Sequence, residues 1–223
     1  VISLRYNNIS NFFYAARSME TSGNDFGLLS SSVDSHMMKN SEWGAVAYLT
    51  HSQYGINEEV RKNNQSTYIT GCGALTANAG RNATCSNIYG TQTTYPQSTT
   101  GNVTGVFDMS GGAAEYVMGH YGSTTVYGSS EFSASNPLPD AKYYDNYDIT
   151  VIAICTLATC GGHALNETYN WYSDTANFVY SNYPWFTRGA QYSQSLSAGT
   201  FYSKFEAGNA RYDWGFRLVL VVE

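Results

Sequence analysis

Charged side chains are scarce in this sequence. They make up 13% of its 223 residues, against roughly 25% in typical soluble domains. The formal net charge is -6, and the 11 Lys and Arg residues are scattered without a basic run. Proteins that bind nucleic acids present a clustered positive surface to the phosphates. We therefore expect no nucleic-acid partner.

Long hydrophobic runs are also missing. The longest apolar stretches, residues 150–154 and 218–222, are much shorter than the ~20 residues needed to span a bilayer. We therefore predict no membrane span. The chain opens at Val1, without Met and without a charged and then apolar leader, so we expect a fragment or a mature form.

Cysteine is limited to four residues, which form two sequence-local pairs. Of the three possible connectivities, neighbour pairing of Cys72 with Cys85 and of Cys155 with Cys160 is the simplest. A zinc site would need closer spacing or nearby His ligands, and free buried thiols are the alternative. Disulfides would indicate an oxidising compartment, which predicts a secreted or surface-exposed protein.

Tyr, Gly and hydroxyl side chains are abundant by contrast, with 20 Tyr and 21 Gly residues. Tyr provides a rigid contact area at low entropic cost, while Ser, Gly and Asn provide adaptable hydrogen bonding. This composition is closer to that of an antibody paratope than to that of a metabolic enzyme. It favours a binding function.

The pattern of apolar residues predicts one α+β domain over residues 1–223, with few helices, short strands and long loops. Near-helical spacing predicts a helix within residues 35–49. Residues 105–118 predict a short strand, a tight glycine turn and a second apolar stretch. The aliphatic run at residues 215–221 predicts a buried strand. Residues 52–104 show no sustained period, which indicates loops.

Three short motifs resemble those of the formylglycine-generating-enzyme family. Residues 107–116, FDMSGGAAEY, resemble its DMSGNVWEW signature. Residues 188–190, RGA, resemble its RGGS element, and residues 215–219, GFRLV, resemble its terminal GFRxV. Together and in this order they imply the C-type-lectin-like fold of that family.

Further blocks are similar to the variable proteins of diversity-generating retroelements, in particular gut-bacterial, pilin-associated ones. These blocks are residues 38–55 (MKNSEWGAVAYLTHSQYG), 184–190 (PWFTRGA), 198–201 (AGTF), 208–210 (GNA) and 215–217 (GFR). The sequence departs from the family pattern at Ala114, where Trp is usual, at Ala190 for Gly and at Gly215 for Ser.

The resemblance implies a non-enzymatic protein whose C-terminal region, residues 185–217, is diversified to vary what it binds. The gaps between the fixed blocks supply the expected ligand-binding residues, although alternation along strands would point roughly half of them into the core. They are Gln191, Tyr192, Ser193, Ser195, Ser197, Tyr202, Ser203, Arg211, Tyr212, Asp213 and Trp214. Tyr, Trp and Arg are also the side chains that most often anchor interfaces.

The resemblance further implies the setting of the protein. The partner would be an unknown protein or cell-surface ligand, bound without a cofactor. Relatives often carry a pilin-like N-terminal segment, so a pilus or the cell envelope is the expected location, with a phage virion as the competing one. A fixed-specificity glycan-binding lectin or adhesin remains the alternative function.

Enzymatic and metal-binding alternatives have weaker support. The oxidase chemistry of formylglycine-generating enzymes needs a cysteine pair between the RGGS-like and GFR-like elements, and that interval contains no Cys. No GxSxG turn accompanies the four histidines, so a hydrolytic triad is not indicated. For Asp108 and Glu115 we expect local capping and hydrogen bonding around the glycine turn.

An acidic segment, residues 140–148, could bind Ca²⁺ through Asp140, Asp145, Asp148 and Asn146. Asp and Asn are also common turn residues, so a solvated loop is the favoured interpretation and no metal site is predicted.

Overall fold

The computed structural model describes residues 4–62, 90–122, 127–147, 168 and 171–222. Over this part of the chain the fold is mixed α+β, with few helices, short strands and much loop, as predicted. The helices are α1 (Ile9–Arg17) and α2 (Asn40–Leu49). The strands are β1 (Val33–Met37), β2 (Ala114–Tyr121), β3 (Asp145–Tyr147), β4 (Trp185–Gly189), β5 (Gly199–Glu206), β6 (Trp214–Phe216) and β7 (Leu218–Val222). Short 3-10 helices include Ser18–Glu20, Gln92–Gln97, Ala141–Tyr143, Trp171–Ser173 and Tyr192–Ser197.

Helix α1 begins at a side-chain cap. The Asn8 side chain accepts a hydrogen bond from the Asn11 backbone N–H at 3.0 Å, which satisfies a donor that the first helical turn leaves free. The buried residues Ile9, Phe12 and Ala16 lie on one face of the helix. This face packs against Tyr116 of β2 and Trp185 of β4.

Helix α2 is shorter than the predicted helix, because residues 35–37 belong to β1 and pair with β7. It begins where the Glu42 carboxylate accepts from the Lys39 backbone N–H at 2.8 Å. A second carboxylate, that of Asp145, accepts from the Ser41 N–H at 2.6 Å and from its hydroxyl at 3.0 Å. Asp145 therefore holds the first turn of α2 against β3.

Five strands form the central sheet, in the order β3-β2-β4-β5, and β6 also pairs with β2. Strands β3 and β6 run parallel to β2, whereas β2–β4 and β4–β5 are antiparallel. Because β4 takes one edge of β2, strands β3 and β6 follow each other along its opposite edge.

The two faces of this sheet bury different clusters, since side chains alternate along each strand. One face carries Tyr116, Trp185 and Trp214, which pack with α1. The other carries Val117 and Phe186, which pack with α2. The sheet is therefore the layer on which both helices rest.

A glycine turn precedes β2, as predicted. Gly111 and Gly112 have φ angles of 81° and 76°, in the left-handed region where a Cβ is disfavoured. The predicted strand before this turn is not formed. Glu115 does not cap the turn but accepts from Arg217 Nε at 3.0 Å and Nη2 at 2.8 Å. Arg217 also donates to the Asp108 carbonyl at 3.2 Å, which ties the first motif to the last.

The terminal strand β7 is formed but is not buried. It pairs antiparallel with β1 in a separate two-stranded sheet. Leu220 and Val221 are 43% and 45% exposed, and Val222 is 82% exposed, so the prediction of burial is wrong. No helix in the described part of the chain is long and apolar enough to cross a membrane.

Candidate functional site

A polar cleft of about 160 Å³ opens on the α1 face of the central sheet, beyond the area that α1 covers. Strand alternation places Tyr202, Lys204 and Glu206 of β5 on this face, and the register sets Thr187 of β4 beside Lys204. The cleft is lined by Ala114, Thr187, Gln191, Gln194, Tyr202, Lys204, Glu206, Arg211 and Trp214.

Two ion pairs set the charge of the cleft. Lys204 Nζ lies 3.0 Å from Glu206 Oε1, and Arg211 Nε lies 3.5 Å from Asp213 Oδ1. The side chains of Lys204 and Arg211 are 41% and 45% exposed, whereas those of Glu206 and Asp213 are 13% and 5% exposed. Burial raises the pKa of Glu206, and Lys204 opposes this rise. The cations therefore face solvent and the carboxylates lie behind them.

Trp214 is held on three sides. Its Nε1–H donates to Gln191 Oε1 at 3.3 Å. The Arg211 guanidinium lies 4.7 Å from the indole ring centroid, and the Tyr116 ring meets the indole edge-on at 4.9 Å. Only 3% of Trp214 is exposed. The indole is thus part of the core and one wall of the cleft.

Tyr202 packs with Ala190 and Ala198 beneath the cleft. It is 4% exposed, and burial raises its pKa. Ala190, which stands where the resembling family has Gly, adopts a φ of 61°. This is the left-handed region that favours glycine, so the departure from the family pattern introduces backbone strain.

The structure brings four of the eleven predicted residues together in the cleft: Gln191, Tyr202, Arg211 and Trp214. Asp213 lies behind Arg211 as its ion-pair partner. Ser193 and Tyr212 are exposed and outside the lining. Tyr192 and Ser195 belong to a 3-10 helix, but their side chains lie outside what the structure describes.

The remaining two predicted residues serve the scaffold. The Ser203 hydroxyl lies on the opposite sheet face and donates to the Asn177 carbonyl at 3.2 Å. The Ser197 hydroxyl donates to the Gln194 carbonyl at 2.8 Å. Tyr202, Ser203, Asp213 and Trp214 are buried, so the alternative that part of the predicted set points into the core applies to these four.

Five lining residues were missing from the sequence prediction: Ala114, Thr187, Gln194, Lys204 and Glu206. For β5 a signal was present, because positions 202, 204 and 206 share one face of any strand in this segment. Thr187 lies inside a block treated as fixed. Its position in the cleft depends on the pairing of β4 with β5.

A half-buried lysine anchors the loop that borders the cleft. Lys62 Nζ lies 3.1 Å from Asp174 Oδ1 and 2.7 Å from Glu59 Oε1, and it donates to the Leu196 carbonyl at 2.7 Å. Asp174 also accepts from the Phe201 N–H at 3.0 Å. Burial raises the pKa of Asp174 to about 6, although Lys62 opposes the rise.

The other chemical candidates lie away from the cleft. His36 pairs with Glu42 at 3.0 Å, His51 stacks on Tyr172 and His120 packs against Trp185. Among the described residues, no group of three or more His, Cys, Asp or Glu side chains could hold a metal ion.

Several predictions fall outside the described residues. They concern Cys72, Cys85, Cys155, Cys160, Asp148 and His163. Two of the candidate calcium-binding carboxylates lie within the described residues. The Asp145 carboxylate caps α2, and the Asp140 carboxylate accepts from the Lys142 N–H at 3.0 Å. Both carboxylates thus have a structural role.

The chain was also compared with known proteins. No protein-family model matches it, and no curated protein matches it.

Proposed function

We propose that this chain is a non-enzymatic binding protein with a C-type-lectin-like fold of the formylglycine-generating-enzyme type, whose cleft is diversified by a retroelement. The observation that carries the proposal is the cleft itself. Segments 187–194, 202–206 and 211–214 of the C-terminal region converge on it, together with Ala114 from β2. The proposed location is the cell surface, on a pilus or the envelope, or else a phage virion.

The separation of scaffold and cleft supports this function. The motif blocks are joined to one another in the interior: Arg217 binds Glu115, the Gly111 N–H donates to the Gly189 carbonyl at 2.8 Å, and Trp43 Nε1 donates to the Thr200 carbonyl at 2.9 Å. Exposed lining side chains such as Arg211 take no part in these contacts. Surface substitutions usually change stability by only about 0.5 kcal/mol, so the rim of the cleft can vary on a constant scaffold.

A fixed-specificity glycan-binding lectin is less well supported at this cleft. Sugars bind proteins through exposed aromatic faces and converging polar groups. Arg211 and Tyr116 already contact the Trp214 ring, and Tyr202 is almost completely buried. The cleft therefore offers hydrogen-bonding and charged groups but no free aromatic face among its lining residues.

A displayed library tests the proposal. Codons for the exposed or half-buried positions Gln191, Gln194, Lys204 and Arg211 are randomised, and the library is selected against a panel of purified bacterial surface proteins. A matched control library randomises four exposed positions elsewhere, Gln92, Thr93, Ala134 and Ser135.

We expect folded binders from the cleft library at a much higher frequency than from the control library. Equal frequencies in the two libraries would contradict the proposal. So would loss of folding in most cleft variants, because these positions would then belong to the scaffold.

A further inference from the structure

The cleft is small for a complete ligand. Its volume of about 160 Å³ is below the range of roughly 300–1,000 Å³ that is typical of pockets for drug-sized molecules. It can therefore take one group of a larger partner, such as a single side chain. The chemistry of the lining decides which group that is.

Two cationic groups, those of Lys204 and Arg211, lie in the accessible part of the lining. A guanidinium has five N–H donors and an ammonium has three. In the described structure the Arg211 Nε–H donates to Asp213 Oδ1, and Lys204 Nζ forms an ion pair with Glu206 Oε1. The Arg211 Nη groups and the rest of the Lys204 ammonium group have no acceptor among the contacts that the structure describes. These open donors converge on one cleft.

The carboxylates of Glu206 and Asp213 are less accessible than the cationic groups of Lys204 and Arg211. Glu206 and Asp213 are each paired with a cation and lie behind it. A positively charged ligand group would have to displace Lys204 or Arg211 from its partner. A negatively charged group approaching from solvent meets both cations first.

Arg211 is also held in place before any ligand arrives. Its guanidinium stacks on Trp214 at 4.7 Å, and Gln191 fixes the indole through the Nε1 hydrogen bond. A planar guanidinium with its orientation fixed binds a carboxylate through two parallel hydrogen bonds. Less side-chain entropy is lost on binding when the guanidinium is already ordered.

We propose that the cleft binds a carboxylate, the side chain of an Asp or Glu residue on a protein partner, between Arg211 and Lys204. This inference rests on the proposed function, because it names the ligand group for the same cleft. A protein source is favoured over an acidic sugar because the lining presents no free aromatic face on which a sugar ring could stack.

The test is an NMR titration of the folded chain, read at the Trp214 indole N–H signal, which is assigned by Trp214→Phe. The probes are capped glutamate, its neutral isostere capped glutamine, N-acetylneuraminic acid and galactose. We expect capped glutamate to shift this signal saturably and to bind at least about tenfold more tightly than capped glutamine, since hydrogen bonds to charged groups are the strong ones.

Charge-removing variants locate the site. Arg211→Gln and Lys204→Gln should each weaken capped glutamate at least about tenfold. Arg61→Gln, which removes the same charge from an exposed residue outside the cleft, should leave its affinity unchanged. If the spectrum of Arg211→Gln shows loss of folding, Arg211→Lys replaces it, because this variant keeps the charge but loses the two-pronged geometry.

The remaining outcomes overturn the inference in distinguishable ways. Equal binding of capped glutamate and capped glutamine would leave the cleft as a binding site but remove the carboxylate preference. Tighter binding of N-acetylneuraminic acid or galactose would assign the cleft to glycans. No shift with any probe would overturn the carboxylate site, and the library selection would then decide separately whether the cleft binds partners at all.

Discussion

Replacing Trp214 separates the scaffold role of the cleft wall from its binding role. The indole is 3% exposed and contacts Tyr116, Arg211 and Gln191. Truncating a buried Trp to Ala typically costs about 3–5 kcal/mol, and the lost indole hydrogen bond is part of that cost. We therefore expect Trp214→Ala to lower the free energy of unfolding by about 4 kcal/mol.

Two further variants calibrate this value. Trp214→Phe keeps most of the ring packing but loses the hydrogen bond to Gln191, so we expect a cost of about 1–2 kcal/mol. Tyr212 is 58% exposed, and Tyr212→Ala should stay within about 0.5 kcal/mol of the parent. Trp214→Ala and Tyr212→Ala each remove a large aromatic ring, two positions apart in the sequence. The two rings differ mainly in how far they are buried.

The assay is urea denaturation followed by circular dichroism. The midpoint should shift for Trp214→Ala while the dependence on urea concentration stays the same, since the folded state remains compact. A cost below about 1 kcal/mol for Trp214→Ala would refute the placement of the indole in the core. A large cost for Tyr212→Ala would refute the placement of this side chain at the exposed surface.

Other predictions address the scaffold. Glu115→Ala should lower the free energy of unfolding by about 2–3 kcal/mol, because it leaves Arg217 half-buried without its carboxylate, as thermal melting will show. Burial raises the pKa of Asp174 from 3.8 to about 6, so the stability that protonation of this carboxyl adds is present below pH 3.8 and is lost as pH rises through about 6. The stability difference between the parent and Asp174→Asn should therefore change by about 2–3 kcal/mol between pH 4 and pH 7 in urea titrations. Non-reducing peptide mapping should find two sequence-local disulfides, and four free thiols would contradict the predicted oxidising compartment. The expected pairs are Cys72–Cys85 and Cys155–Cys160.

Local patterns in the sequence predicted the parts of the fold that depend on neighbouring residues. The spacing of Trp43 and Ala47 indicated α2, and Gly111 and Gly112 indicated the turn before β2. Helix α1 was missed although its signal was present, since Asn8 can cap a helix and the following apolar residues have helical spacing. Local reasoning could have found this helix.

Long-range pairing explains what the sequence could not reveal. Residues 35–37 leave the predicted helix because their backbone groups pair with β7, and tertiary contacts override local propensity. The aliphatic composition of β7 could not show that Val222 would be exposed. Glu115 and Arg217 are 102 residues apart, so no local pattern could join them.

The candidate cleft was predictable as a region but not residue by residue. The gaps between motif blocks include Arg211 and Trp214, which line the cleft. They could not separate Tyr202 from Ser203, because the direction of each side chain depends on the register of β5 with β4. That register places Tyr202 at the cleft and Ser203 on the opposite face.

Population sequencing tests most directly whether the cleft is a diversified binding surface. The coding segment for residues 185–217 is sequenced from many cells of the source population, together with any neighbouring reverse-transcriptase gene and template repeat. We expect substitutions at adenine-containing codons to concentrate at exposed or half-buried positions such as Gln191, Arg211 and Tyr212, with residues 185–189 and 215–217 unchanged. An invariant segment, or substitutions spread evenly over rim and scaffold codons, would contradict the proposed function.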